Sequence, residues 1–244
     1  VIDDNLSRTD YQNTYFEEWF SIDRTNDLEV KIVGKIDKIM TLKDDYNTYV
    51  IVLDYKTGKL HGDFNKVIHG FDMQLLYYLY LIKNTKKIDN PIFTGMYLQA
   101  IMNDVLNSDK DKTYDEIVKD TMKLQGYTTN NLGRLYEIDH NYQENSFIKS
   151  MAVKKDGELS SRAKVISDDI VNELLEIVEE NIDRVISSIK RSDYEINPKK
   201  LGKDNVGCEY CTFKDICYMT NNDIKELKVY KNLEFLRGED DDTN

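Results

Sequence analysis

Asp54-Tyr55-Lys56 closes the run Val50-Ile51-Val52-Leu53, whose β-branched composition predicts a buried strand over Thr48 to Tyr55. Side chains two apart on a strand share a face, so a carboxylate and an ammonium would leave the sheet edge together. Upstream, Val30, Ile32, Ile36 and Met40 alternate loosely with Lys31, Lys35 and Lys43. That pattern predicts a strand from Leu28 to Leu42, interrupted at Gly34 by a bend or bulge. The polar turn Lys43-Asp44-Asp45-Tyr46-Asn47 makes the two a hairpin, which places Asp37 on the strand next to Asp54. Two carboxylates at strand ends, with the Tyr55 carbonyl nearby, offer the all-oxygen surroundings that Mg²⁺ or Mn²⁺ prefers. Lys56 beside them could orient a water or offset charge on a scissile phosphate. This is the chemistry of phosphodiester hydrolysis. Taken alone, an Asp-x-Lys at a strand end is more often a solvated salt bridge or a turn.

Thr57-Gly58 ends the strand and a polar loop follows. Leu75, Leu76, Leu79 and Ile82 then recur at helical spacing and predict a helix from Phe71 to Lys83. Gln74 and Tyr78 lie one turn apart on it; by themselves they suit packing against a core. Gly95 to Met102 is a further candidate strand. Asp104 to Ser150 is polar and irregular, and is expected to be an insertion with a small hairpin around Lys123-Leu124-Gln125-Gly126. From Ile166 to Ile189, apolar residues at three- and four-residue spacing predict a long helix ending near Arg191. Ser167, Asp168 and Asp169 supply its cap and its dipole-matched acids. The N-terminal aromatics Tyr11, Tyr15, Phe16, Trp19 and Phe20 fit a helix or a strand equally.

The chain has 244 residues, 40% hydrophobic and 32% charged, which excludes wholesale disorder and suits one large globular domain. No apolar run is long enough for a transmembrane span, and the acidic start Val1-Ile2-Asp3-Asp4 carries neither a secretory signal nor an initiator Met. The expectation is a soluble piece of a longer, cytoplasmic protein. The net charge of −12 argues against a free-standing nucleic-acid binder, because phosphates repel a net anion. Local patches depart from that average. Lys31 to Lys43 is locally basic, as is Lys199 to Lys203, whereas Glu239 to Asp242 belongs to an acidic tail. Cys208, Cys211 and Cys217 are the only cysteines, an odd and clustered set that suits a reducing compartment better than a disulfide framework.

The order of the motifs narrows the reading. Gly34-Lys35-Ile36-Asp37, then Val52-Leu53-Asp54-Tyr55-Lys56-Thr57-Gly58, then Gly70-Phe71-Asp72-Met73-Gln74-Leu75-Leu76-Tyr77-Tyr78 resembles the RecB-like branch of the PD-(D/E)xK nuclease superfamily. There a Gly-x-Ile-Asp, an Asp-Tyr-Lys-x-Gly and a helical Gln-x-x-x-Tyr follow one another. The resemblance implies a restriction-endonuclease-like α/β core, with a mixed central sheet flanked by helices and a cysteine-bearing C-terminal extension. It also implies that Asp37 and Asp54, with the Tyr55 carbonyl, bind Mg²⁺ or Mn²⁺, that Lys56 is the catalytic lysine, and that Gln74 and Tyr78 contact the active site and the DNA strand.

Gly207-Cys208-Glu209-Tyr210-Cys211-Thr212-Phe213-Lys214-Asp215-Ile216-Cys217, after a long helix and Glu195-Ile196-Asn197-Pro198, is similar to the C-terminal nuclease domain of the AddB (RexB) family. The similarity runs from about Glu17 to Cys217. It implies a single nuclease-domain fragment: a core at about 11–103, the insertion at about 104–150, the helix and cysteine region at about 160–220, and an acidic tail at 237–244. It further implies a metal-dependent DNA exonuclease of a helicase–nuclease that processes double-strand breaks. No Walker A pattern occurs here, so the motor would lie elsewhere, in an AddA-like partner that delivers single-stranded DNA. The family holds a [4Fe-4S] cluster on four cysteines, of which this chain has three; a bare spacing of this kind also suits zinc. The family's upstream metal-binding His has no match, since His61, His69 and His140 all follow Asp37 and read as surface or structural residues. Glu17 or Glu18 is the candidate extra carboxylate. With ligands missing, weak or absent activity is expected of this chain alone. Two rivals remain: a catalytically silent scaffold that grips a DNA end or docks a partner protein, and a four-cysteine CRISPR-associated exonuclease.

Overall fold

The computed structural model describes residues 7–24, 30–58, 60, 64–101, 112–149, 151, 153–154, 156–203, 207–208, 211–231 and 233–237. The fold divides into two compact units, Val1–Gly62 with Gln74–Leu175, and Asp63–Met73 with Glu176–Asn244.

The first unit is built on a mixed sheet of six strands in the order β1 to β6. Strands β1 (Gln12–Arg24), β2 (Val30–Lys43) and β3 (Thr48–Lys56) form an antiparallel meander. Strand β4 (Pro91–Ala100) runs parallel to β3, and helix α1 (Gln74–Asn84) lies between them in the chain. Strand β5 (Gln125–Thr129) is antiparallel to β4, and β6 (Val165–Ile166) is parallel to β5. This is the expected α/β class with a mixed central sheet. The aromatic N-terminal segment, open to two readings in the sequence, is a strand.

Burial explains why these segments take these forms. Thr48 to Asp54 is buried at every residue, as a central strand covered on both faces must be. Tyr11, Met40, Tyr49, Ile51, Leu53 and Tyr97 belong to one buried cluster, which Leu124, Ile138, Phe147 and Ile148 complete. The Tyr11 and Tyr97 hydroxyls lie 2.8 Å from Thr94 and Thr128, so neither buried phenol lacks a partner. Helix α1 buries Leu75, Leu76 and Tyr78 to Ile82, which fixes the position of its first turn.

The stretch expected as an insertion is partly a component of the sheet. Lys123 to Gly126 makes no local hairpin; Gln125 to Thr129 pairs with β4 through Leu98↔Gln125 and Gly95↔Thr128. The turn-like Gly126 therefore serves a close approach between distant strands, a pairing that local composition does not display. Helices α2 (Tyr114–Thr121) and α3 (Leu132–Ile138) flank this strand, the first capped by Thr113 with Glu116 and the second by Asn131. After α3, the fully buried Asp139 accepts hydrogen bonds from Arg8 at 2.9 Å and from the Phe147 amide at 3.0 Å.

Helix α4 (Asp168–Lys190) starts where expected, with Ser167 Oγ accepting from the Ile170 amide at 3.3 Å. In the second unit, β7 (Lys199–Leu201) pairs with β8 (Lys225–Leu227), and the basic Lys199–Lys200 pair sits on this small ladder. The acidic tail lies outside the described residues. Among the described residues no helix is long and apolar enough to cross a membrane.

A Cβ at Gly126 would stand 2.0 Å from the Met96 carbonyl oxygen, whereas one at Gly58 would meet nothing within 4 Å. Gly126→Ala should therefore cost about 1–3 kcal/mol, as overpacking against backbone does. Gly58→Ala should leave the urea midpoint within experimental error.

Candidate active site

Strand β3 carries Asp54 and Lys56 to its C-terminal end, and the first two turns of α1 face them with Gln74 and Tyr78. Asp54 is 2% exposed. Its Oδ1 accepts from Gln74 Nε2 at 2.7 Å and from the Tyr78 hydroxyl at 3.3 Å. Gln74 Nε2 also donates to the Tyr78 oxygen at 2.8 Å, and Gln74 Oε1 accepts from Lys56 Nζ at 2.5 Å. One amide thus ties the lysine, the carboxylate and the phenol together. Burial pushes the Tyr78 hydroxyl up to about 12, so it remains a donor at neutral pH.

The other oxygen of Asp54 is different. Oδ2 is buried and makes no hydrogen bond. Lys56 Nζ forms an ion pair with it at 2.6 Å. Asp37 sits one residue beyond the ladder pair Lys38↔Leu53, opposite Asp54. Its Oδ2 accepts from the Tyr55 amide at 2.9 Å. Burial raises the Asp37 pKa above its ordinary 3.8, and the charges of Asp54 and Glu17 push the same way, against the Tyr55 hydrogen bond and Lys56.

Asp37, Asp54, Lys56, Gln74 and Tyr78 are therefore brought to one place, with Tyr55 in the backbone between the two carboxylates. A buried carboxylate oxygen lacking a hydrogen bond, beside a second carboxylate that is costly to ionise, fits a hard divalent cation. Among the described residues no three of His, Cys, Asp and Glu gather into a metal cage, so water and substrate oxygens would complete the coordination, as Mg²⁺ favours.

The structure separates the two glutamates left open by the sequence. Glu18 pairs with Lys87, away from the carboxylates, while Glu17 pairs with Lys35 and lies close enough to Asp37 to raise its pKa. Glu17 also has a φ of 49°, a left-handed conformation uncommon for glutamate, within an otherwise extended strand. Sequence reasoning counted Lys38, next to Asp37, within a basic run but did not place it. Lys38 is buried beneath the Phe16 ring, with Nζ 5.8 Å from its centre, and desolvation lowers its pKa. The signal was present in the basic run, but its relation to β1 was not.

The histidines take structural roles where they are described. His69, in the second unit, meets the Lys228 carbonyl at 2.8 Å, and His140 meets Asp10 at 2.9 Å. His61 lies outside the described residues. Cys208, Cys211 and Cys217 are free thiols, and the described residues do not gather them into a cage; Cys208 Sγ rests 3.7 Å from Met219 Sδ.

A mixed sheet whose central strand ends in Asp-x-Lys, with a second carboxylate on the adjoining strand, fits a nuclease architecture. The profile of the PD-(D/E)XK nuclease superfamily matches residues 3–218, and the chain belongs to that superfamily. More particularly, it is 28% identical over 203 residues to the B subunit of the ATP-dependent helicase/deoxyribonuclease from Caldanaerobacter subterraneus subsp. tengcongensis, covering 81% of this chain and 17% of that protein. It is 29% identical over 195 residues to the protein of the same name from Clostridium acetobutylicum, covering 78% and 17%. A third such protein, from Clostridium perfringens, is 29% identical over 234 residues, covering 89% and 20%. The chain thus spans about a fifth of the length of these relatives.

Because its raised pKa makes the charged form of Asp37 a burden on the metal-free fold, the sign of its pH effect follows. The stability linked to its protonation is present below the ordinary 3.8 and is lost as pH rises through the higher folded value. Asp37→Asn should therefore raise the melting temperature at pH 7 in chelator, with the gain shrinking toward pH 4 and below. A melting temperature equal to or lower than wild type at pH 7 would contradict this.

Proposed function

We propose that the chain is the metal-dependent DNA exonuclease domain of a helicase–nuclease that processes double-strand breaks. The observation that carries the reading is the buried Asp54 carboxylate, pinned through one oxygen by Gln74 and Tyr78, with the other free of hydrogen bonds beside Asp37 and Lys56. Asp37, Asp54 and the Tyr55 carbonyl would hold the cation. A divalent ion supplies charge stabilisation at the phosphate and makes an attacking water more acidic.

The chain's own residues then have separable tasks. Lys56, 34% exposed and held by Gln74, can donate from Nζ to a phosphate oxygen as negative charge grows there. Gln74 accepts from Lys56 and donates to Asp54, which keeps both groups oriented. Tyr78 fixes Asp54 Oδ1, so that Oδ2 faces the reaction. Burial of Asp54 keeps competing water away from this oxygen.

The relatives support this assembly, each being named as one component of an ATP-dependent helicase/deoxyribonuclease. An AddA-like motor protein would feed a single strand into the site, which suits a body of net charge −12 that needs little DNA affinity of its own. Iron–sulfur ligation by Cys208, Cys211 and Cys217 rests on their spacing alone. Three thiols fall one short of the four that such clusters normally use, and the described residues do not arrange them as a cage.

The test is cleavage of end-labelled single-stranded DNA at stoichiometric protein with Mg²⁺ or Mn²⁺. Weak, cation-dependent loss of the labelled end is expected. Asp54→Asn and Lys56→Ala should each reduce it at least about a hundred-fold while remaining folded by circular dichroism. Equal cleavage by wild type and both variants ends the reading.

A further inference from the structure

Strand β1 is the sheet's outer edge, and two of its large side chains turn outward: Phe16 is 55% exposed and Trp19 is 63% exposed. Each sits directly across from a lysine of β2, in the register pairs Phe16↔Lys38 and Trp19↔Lys35. Asp37 lies between these pairs along β2, but next to Lys38 its side chain points to the other face of the sheet. On a chain of net charge −12, β2 holds Lys31, Lys35, Lys38 and Lys43 against Asp37 alone. The Glu17–Lys35 ion pair is exposed at both ends, so it holds Lys35 only weakly and leaves it free to exchange partners. Flat aromatic faces beside lysines suit unpaired bases on a polyanionic backbone, since every base offers a ring to stack on. A duplex hides those rings.

We propose that Phe16 and Trp19, with Lys35, form a stacking platform for single-stranded nucleic acid along the outer edge of the sheet. The inference rests on the nuclease reading. Its test does not depend on hydrolysis. Trp19 is the chain's single tryptophan, so intrinsic fluorescence reports on this position alone.

Titrating the Asp54→Asn chain in chelator with oligo-dT should quench Trp19 emission, whereas a blunt duplex of equal length should not. Fluorescence anisotropy of labelled oligo-dT follows binding independently. Phe16→Ala and Trp19→Ala should each weaken it roughly ten-fold, as loss of a stacked base does. Trp19→Phe should retain most of the affinity. Lys35→Ala should lower the log–log salt slope by about 0.7, the value for one phosphate of a single strand. Binding without quenching, or no binding, overturns the platform; so does concentration-dependent self-association that shields Trp19 before DNA is added. Failure of the nuclease reading appears instead in the cleavage assay, where wild type and Asp54→Asn would behave alike.

Discussion

The arrangement around Asp54 holds a buried carboxylate whose hydrogen bonds all go to one oxygen while the Lys56 ammonium sits 2.6 Å from the other. Three side chains from two elements converge on this residue, yet all the hydrogen bonding goes to Oδ1. The asymmetry requires a strand that cannot slide and a helix that cannot rotate. Complete burial of β3 from Thr48 to Asp54 meets the first requirement, because a one-residue slip would exchange both covered faces. The packed apolar residues of α1 meet the second.

The same logic distinguishes the two carboxylates. Asp54 is anchored by side chains, whereas Asp37 is held by the Tyr55 amide and is opposed by its acidic neighbours. A carboxylate that burdens the fold in this way sets stability against function, a balance common at functional centres. The left-handed Glu17 and the exposed aromatics of β1 lie on the adjoining strand. Irregularity occurs both at this edge and in the interior, where the β3–β4 register shifts between Val50 and Ile51.

The strand–turn–strand–helix order around the site was legible in the sequence because each signal is local. Alternation marked β2, the β-branched run marked β3, and helical spacing marked α1. Asp-x-Lys and Gln-x-x-x-Tyr then followed at fixed offsets. The strand β5 was not legible: five residues containing a glycine look like a turn until their partner, about thirty residues upstream, is known. The two readings of the N-terminal aromatics were likewise decided by pairing with β2, since edge position and bulges blur the alternation.

What the sequence determined by itself was the set of chemical groups, their order, and the elements that carry them, because side-chain type and short-range periodicity are properties of contiguous residues. Only the tertiary structure decided which oxygen of Asp54 stays without a hydrogen bond, which of Glu17 and Glu18 approaches Asp37, and that Phe16 and Trp19 stand across from lysines. Each of those depends on distances between residues far apart in the chain. Such distances are set by packing and register, which no window of the sequence contains.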